Sequence, residues 1–227
     1  MKKILKKTFI STIPVMTGYL VLGFGFGIVI KSAGFSTLLA LAFSIFTYAG
    51  AMQYAAVGLL TSGASLVTVA LTTLMVNARH LFYGISMLEK YKKTGKTKPY
   101  LIFALTDETY SLVCGDLSNI PEERKKDYYF FVSLFNQIYW VTGTLLGALI
   151  GSVFTFNSQG IDFALTALFI TVFLDQWLTS KDHSPALIGL SVSALCLLIF
   201  GAEGFLIPAM IVIAIWLCAR KEGTVND

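Results

Sequence analysis

The chain has 227 residues, 56% of them hydrophobic and 13% charged, with a net charge of +4; an ordinary soluble domain is roughly a quarter charged. Mean hydropathy is +0.73. That balance excludes a water-soluble enzyme or nucleic-acid-binding domain, because the charges sit between apolar runs long enough to cross a hydrocarbon core of about 30 Å, which takes about 20 helical residues.

In chain order, "MKKILKKTFI" opens like a secretory leader. The apolar run behind it, Thr8–Ile30, exceeds the roughly 7 to 15 residues of a leader core and lacks a small-x-small cleavage site, so it is read as an uncleaved first span. From Ser32 to Ala78 there is no charge at all. Hydropathy divides the whole chain into segments 8–30, 36–61, 64–88, 99–116, 128–152, 162–179, 185–201 and 203–219. No alternating ten-residue strands of a barrel appear, and helix is the remaining way to satisfy a backbone in lipid. The predicted fold is all-α: a polytopic helical membrane protein of seven or eight segments, with residues 1–227 as a single integral membrane domain. Tyr91, Tyr100, Tyr128, Tyr129 and Trp216 suit the interfacial belt.

Lys and Arg in short loops set orientation. Residues 1–7, 123–126, Lys181, and Arg220 with Lys221 are all cytoplasmic if the chain crosses eight times, which puts both termini inside a multi-pass plasma-membrane protein. The loop "EKYKKTGKTK", 89–98, carries five Lys yet falls outside on that count. Either the charge rule fails there, or one segment between 36 and 88 and the short 99–116 segment are re-entrant or broken helices of the kind that bind substrate in transporters.

Gly23 and Gly27 make a GxxxG pair, as do Gly143 with Gly147 and Gly147 with Gly151, a spacing that lets helix backbones approach closely. "TGYLVLGFGFG" followed by "GFSTLLALAF" resembles "TGTLLGALIG" followed by "GIDFALTALF". The likeness is either chance between apolar, Gly-rich segments or a duplication with halves about 8–98 and 128–219. Cys114, Cys196 and Cys218 lie far apart in apolar segments without metal-ligand spacing and are read as packing residues.

Polar residues at depth carry the functional question. Arg79 stands ten residues from Glu89, the nearest charge, about 15 Å along a helix. An unpaired Arg near the bilayer centre costs at least about 2.5–3.5 kcal/mol, so Arg79 must face a wet cavity or an acid. Asp107 and Glu108, in "LTDETYS", are the natural acids; adjacent helical positions point about 100° apart, so at most one readily faces a single partner. Either one pairs with Arg79 while the other stays open to an ammonium group or a proton, or segment 99–116 is short enough for both to reach an interface. His80 titrates near neutral pH and is either a relay or a hydrogen-bonded structural residue. Asn77 lies beside them, and Gln53, in "YAGAMQY", and Asn136 with Gln137 are neutral polar groups at depth. Asp175 and Glu203 lie nearer segment ends. The substrate-binding or coupling candidates are therefore Gln53, Asn77, Arg79, His80, Asp107, Glu108 and Asn136. No zinc-spaced His pair, nucleophile elbow or Walker loop occurs, so neither enzymatic chemistry nor a cofactor nor a metal is expected.

In order along the chain, "GYLVLGFGFG", "YAGAMQY", "VNARHLFYG" and "LTDETY" resemble the AzlC family of branched-chain amino acid exporters over roughly residues 10–180, with "NARH" and "TDE" as the most specific elements. The resemblance implies export of Leu, Ile, Val and similar amino acids, together with a small AzlD-type membrane subunit. Such a substrate asks for one anion-binding group, one cation-binding group and an apolar pocket. Arg79 is expected to take the carboxylate, and Asp107 or Glu108 the ammonium. The competing reading is a membrane scaffold or partner subunit whose buried charges only lock helices together.

Overall fold

The structure, a computed structural model, describes residues 2–115, 117, 118, 120–153, 170, 173, 174, 177, 178 and 182–219. Among them every regular element is helical. They fall into two compact units, residues 1–165 and 166–227.

The first unit is built on two long helices, α1 (Lys2–Ser32) and α8 (Glu122–Val153). In α1 the hydroxyls of Thr8, Ser11, Thr12 and Thr17 donate to carbonyls three or four residues back, which satisfies them without leaving the helix. The glycines then bring the two backbones into contact. A Cβ at Gly143 would sit 2.6 Å from the Leu20 carbonyl and one at Gly23 2.7 Å from that of Trp140, while those at Gly147 and Gly27 would run into the carbonyls of Phe24 and Thr144. Partner numbers rise together along both chains, so α1 and α8 are parallel and begin at the same end.

Between them the chain does not run as three whole spans. The segment 36–61, drawn as one by hydropathy, is two short helices. The first, α2 (Thr37–Ala42), is capped by the Ser36 side chain and continues into a π-helical turn, Phe43–Thr47. It starts beside the end of α1, where the Phe35 amide donates to the Ile30 carbonyl, and descends until Ser44 donates to Thr144 at 2.8 Å. At Tyr48 the backbone turns left-handed, φ 41°. Then α3 (Gly50–Thr61) climbs back: Gly50 lies against the Trp140 ring, and the Tyr54 hydroxyl donates to the Leu22 carbonyl at 2.7 Å. The break thus sits level with Tyr19, the middle of the first apolar run.

Next come α4 (Leu66–Asn77), capped by Ser65, and α5 (Arg79–Lys92), one traverse interrupted at Ala78. The segment 99–116 mirrors the earlier pair from the opposite end. Here α6 (Lys98–Phe103) rises to a break at Ala104–Thr106, and α7 (Asp107–Cys114), capped by Thr106, returns beside α5. Tyr83 of α5 stacks on Tyr110 of α7 at 4.5 Å, and Lys90 donates to the last carbonyls of α7.

One apolar cluster joins Ile4, Met87, Tyr91, Leu101, Ile120, Tyr128 and Tyr129. The lysines of residues 2–7, of the 89–98 loop and of 124–126 therefore gather at one end of the unit. The 89–98 loop and the N-terminus are thus neighbours.

In the second unit, α9 (Ser184–Gly204) kinks at Gly201, φ 71°, and packs against α10 (Leu206–Ala219). The helices that are by themselves long and apolar enough to cross a membrane, among the described residues, are Lys2–Ser32 and Ser184–Gly201. Segment 162–179 lies mostly, and Asp175 and the stretch 160–169 of the internal likeness wholly, outside the described residues; Glu203 falls in the last turn of α9. Cys114 and Cys196 are free thiols, and Cys196 is buried.

Candidate functional site

Both helix breaks end at the level of Tyr19, and the side chains there form the most polar part of the interior. Tyr48, at the first tip, touches Phe103, at the second, with ring centroids 6.1 Å apart. Thr106 caps α7 by accepting the Thr109 amide at 3.2 Å. That cap turns the chain sharply and sends Asp107 and Glu108 in different directions from the first turn, where carboxylates suit the positive end of the helix dipole.

Asp107 faces α5. Its Oδ1 lies 2.9 Å from Arg79 Nε, and Arg79 Nη1 also donates to the Val76 carbonyl left open by the interruption at Ala78. The two side chains are 32% and 24% exposed, so the pair is not sealed inside the protein. Glu108 faces α1 instead: the Tyr19 hydroxyl donates to its Oε2 at 2.6 Å and lies 2.6 Å from Thr106 Oγ1. Thr106 is in turn bonded to Thr109 at 3.0 Å, and Asn136 Nδ2 donates to Thr109 Oγ1 at 3.0 Å. One connected network thus runs from α1 through both residues of the α7 cap to α8.

Gln53 is fully buried on α3, and its Nε2 donates to Ser44 Oγ at 3.1 Å. His80 Nδ1 lies 3.1 Å from the Asn77 carbonyl, across the α4–α5 interruption. Asn77 and His80 also edge a cleft of about 350 Å³ whose other walls are apolar, with Leu74 and Leu81 on one side and Ile102 and Leu105 on the other. The structure therefore joins Arg79 to Asp107, and Glu108 to Asn136 through two threonines. Gln53 belongs to a separate cluster around Ser44. Gln137, flanking Asn136, ties the two hairpins to α8 by accepting from Tyr100 at 2.7 Å and donating to the Ile45 carbonyl at 3.2 Å.

Sequence reasoning passes over Tyr19, Tyr48, Thr106, Thr109 and Trp140. Trp140 packs edge-on to Tyr19 at 5.4 Å. The one local signal was Thr106 standing directly before two acidic residues, the start pattern of a helix. Among the described residues no group of three or more His, Cys, Asp or Glu is placed to hold a metal ion. The arrangement offers one carboxylate held by a phenol, an ion pair beside it, and an apolar cleft. Those elements suit recognition of a small amphiphilic zwitterion.

Comparison with known proteins adds the following. A family profile described as AzlC protein matches residues 14–154. The Bacillus subtilis (strain 168) "Branched-chain amino acid transport protein AzlC" is 44% identical over 92% of this chain and 82% of its own length. A Haemophilus influenzae protein carrying the description "Uncharacterized membrane protein" is 44% identical over 93% of this chain and 86% of its length. The Escherichia coli (strain K12) "Inner membrane protein YgaZ" is 29% identical over 90% and 84%. No solved structure matches the chain.

Proposed function

The chain belongs to the AzlC family, and from that premise we propose that it is a plasma-membrane transporter exporting branched-chain amino acids, the large subunit of a pair completed by a small AzlD-type membrane protein. The observation that carries this reading is the meeting of two broken-helix hairpins, from opposite ends, around Glu108 and Tyr19. Interrupted helices at mid-depth free backbone groups for a substrate, and backbone of that kind is tolerated there only where protein or a cavity surrounds it.

The same geometry supports a topology. If the hairpins at 36–61 and 98–116 enter halfway and return, α1, the α4–α5 traverse and α8 are full crossings. Continuing through the segments drawn by hydropathy at 162–179, 185–201 and 203–219 gives six crossings with two re-entrant hairpins. Residues 1–7, the 89–98 loop, 123–126, Lys181 and Lys221 then all face the cytoplasm, as the charge rule requires, and both termini are inside.

In this reading Glu108 receives the substrate ammonium, with Tyr19 aligning its carboxylate. The aliphatic side chain enters the cleft between Leu81 and Leu105, whose volume of about 350 Å³ accommodates a branched chain. Arg79, expected from the sequence to hold the substrate carboxylate, is engaged by Asp107, and we assign it to fastening α5 to α7. Asn77, His80, Gln53 and Asn136 line or brace the path.

The test is counterflow of radiolabelled leucine into vesicles bearing the purified protein, with and without the small partner subunit. Accumulation against unlabelled internal leucine, larger with the partner, is expected. A scaffold would give none in either preparation.

A further inference from the structure

Helix starts in the first unit differ in how they are capped: α3 and α5 both begin from an alanine, Ala49 and Ala78, but Ala78 is itself helical and α5 continues the turn of α4. The first turns of α2, α4 and α7 are capped by Ser36, Ser65 and Thr106, each accepting the amide three residues on. The first turn of α3 has no such cap. Ala49 precedes it in a non-helical conformation, φ −132° and ψ 88°, with no side-chain oxygen to offer, and the amides of Gly50, Ala51 and Met52 have no acceptor among the described residues. No acidic residue lies in that turn either, whereas α7 carries two. Ala51 and Met52 are buried, so these donors are not at an outer surface.

A second, independent feature points at the same place. The Trp140 ring lies over Gly50, with Cη2 and Cζ2 at 2.9 and 3.3 Å from where a Cβ would be. Its indole Nε1, covalently next but one to Cζ2, is buried at 4% exposure and has no partner. Tyr48, two residues before Gly50, is also buried, and its hydroxyl lies near that of Tyr19 at the Glu108 pole. Donors thus lie at an uncapped helix start, in surroundings where a buried hydrogen bond left unmade is costly. Uncapped amides at the positive end of a helix are an anion site.

We propose that the first turn of α3, with the Trp140 indole N–H, binds the carboxylate of the transported amino acid, while Glu108 binds its ammonium group. This assignment rests on the transporter reading and gives the zwitterion one half-helix from each hairpin. Trp140 connects the two poles, touching Gly50 with its ring edge and Tyr19, the partner of Glu108, edge-on. Arg79 is not needed for the carboxylate, which agrees with its commitment to Asp107.

The test replaces the absent cap. Ala49→Asp supplies an N-cap carboxylate that favours the helix and occupies the site that the substrate carboxylate needs. In leucine counterflow it should raise KM at least about tenfold, as expected for a displaced charge-assisted contact. It should also make 3-methylbutylamine, which is leucine without its carboxylate, a better competitor than it is for the unaltered protein. Gly58→Ala, at the open far end of α3 where a Cβ meets nothing within 4 Å, should transport normally. If Ala49→Asp does not reach the membrane, Trp140→Phe decides, since loss of one N–H should raise the leucine KM roughly threefold to tenfold without changing inhibition by 3-methylbutylamine. A leucine KM within twofold of the unaltered protein, in whichever variant is used, would overturn the assignment while leaving transport established. No leucine flux from the unaltered protein would instead overturn the transporter reading, and this assignment with it.

Discussion

Tyr19, at the middle of the first helix, donates its hydroxyl proton to Glu108, 89 residues further along the chain, at 2.6 Å. The bond ties a long, continuous helix to the first turn of a short one, so it aligns the carboxylate and fixes the depth of the second hairpin tip together. A carboxylate in apolar surroundings is costly unless its oxygens are bonded, and here, among the described residues, the Tyr19 phenol, the Thr106 hydroxyl and the first-turn backbone of α7 are the neutral donors that reach it. A cationic ligand, as proposed above, would supply the charge partner that these neutral donors do not.

Tyr19→Phe removes that hydroxyl and nothing else. A hydrogen bond to a charged group contributes about 1.5–3 kcal/mol, so leucine counterflow should fall roughly tenfold or more while the amount of protein in the membrane stays close to normal. Flux within twofold of the unaltered protein would show that Glu108 does not depend on Tyr19.

Arg79 and Asp107 should behave as a fastening. Arg79→Gln or Asp107→Asn alone breaks the pair and should lower both membrane level and flux, by less than the ~3–5 kcal/mol of stability of a fully buried pair because both side chains are partly exposed. The double variant should recover most of both, since removing a whole pair is often close to neutral. Measuring membrane level and leucine flux for the three variants separates this from substrate binding, which the double variant would not restore.

The charges and amides were legible because they stand out against an apolar background. Arg79, Asp107, Glu108, Gln53 and Asn136 are visible as anomalies, and an unpaired Arg79 is expensive enough to require an acid. Tyr19, Tyr48 and Trp140 were not legible, since an aromatic ring reads as apolar and its single polar atom matters only once its surroundings are known. The interruption at Tyr48 has no Pro or Gly at the turn itself to announce it, and hydropathy drew one span across it. The loop at 89–98 was informative in another way: its five lysines contradicted a simple count of crossings, and the contradiction pointed to the hairpins.

The glycine contact between α1 and α8 should tolerate no side chain. Gly147→Ala pushes a methyl group into the Phe24 carbonyl, backbone against backbone, and is expected to cost about 1–3 kcal/mol or more. Gly18→Ala, which meets nothing within 4 Å, is the matched control. Thermal unfolding of the two purified variants in detergent should give a clearly lower midpoint for Gly147→Ala alone.

Topology is tested by labelling single cysteines in a chain whose three natural ones are replaced. Lys3→Cys, Lys93→Cys and Glu123→Cys should react with an impermeant maleimide only after the cells are opened, and Ser62→Cys, between α3 and α4, should react in intact cells. External labelling at 93 would restore three full crossings between α1 and α8 and remove the re-entrant hairpins.

The central claim is that a branched-chain amino acid is bound at mid-depth, where the two hairpins meet at Glu108. Leucine counterflow by the unaltered protein and by Glu108→Gln, reconstituted side by side with the partner subunit at equal protein content, tests it most directly. The account predicts robust leucine exchange by the first and loss of at least about 90% of it in the second, as expected when a buried charged contact to the ligand is removed. Equal exchange by both proteins would contradict it.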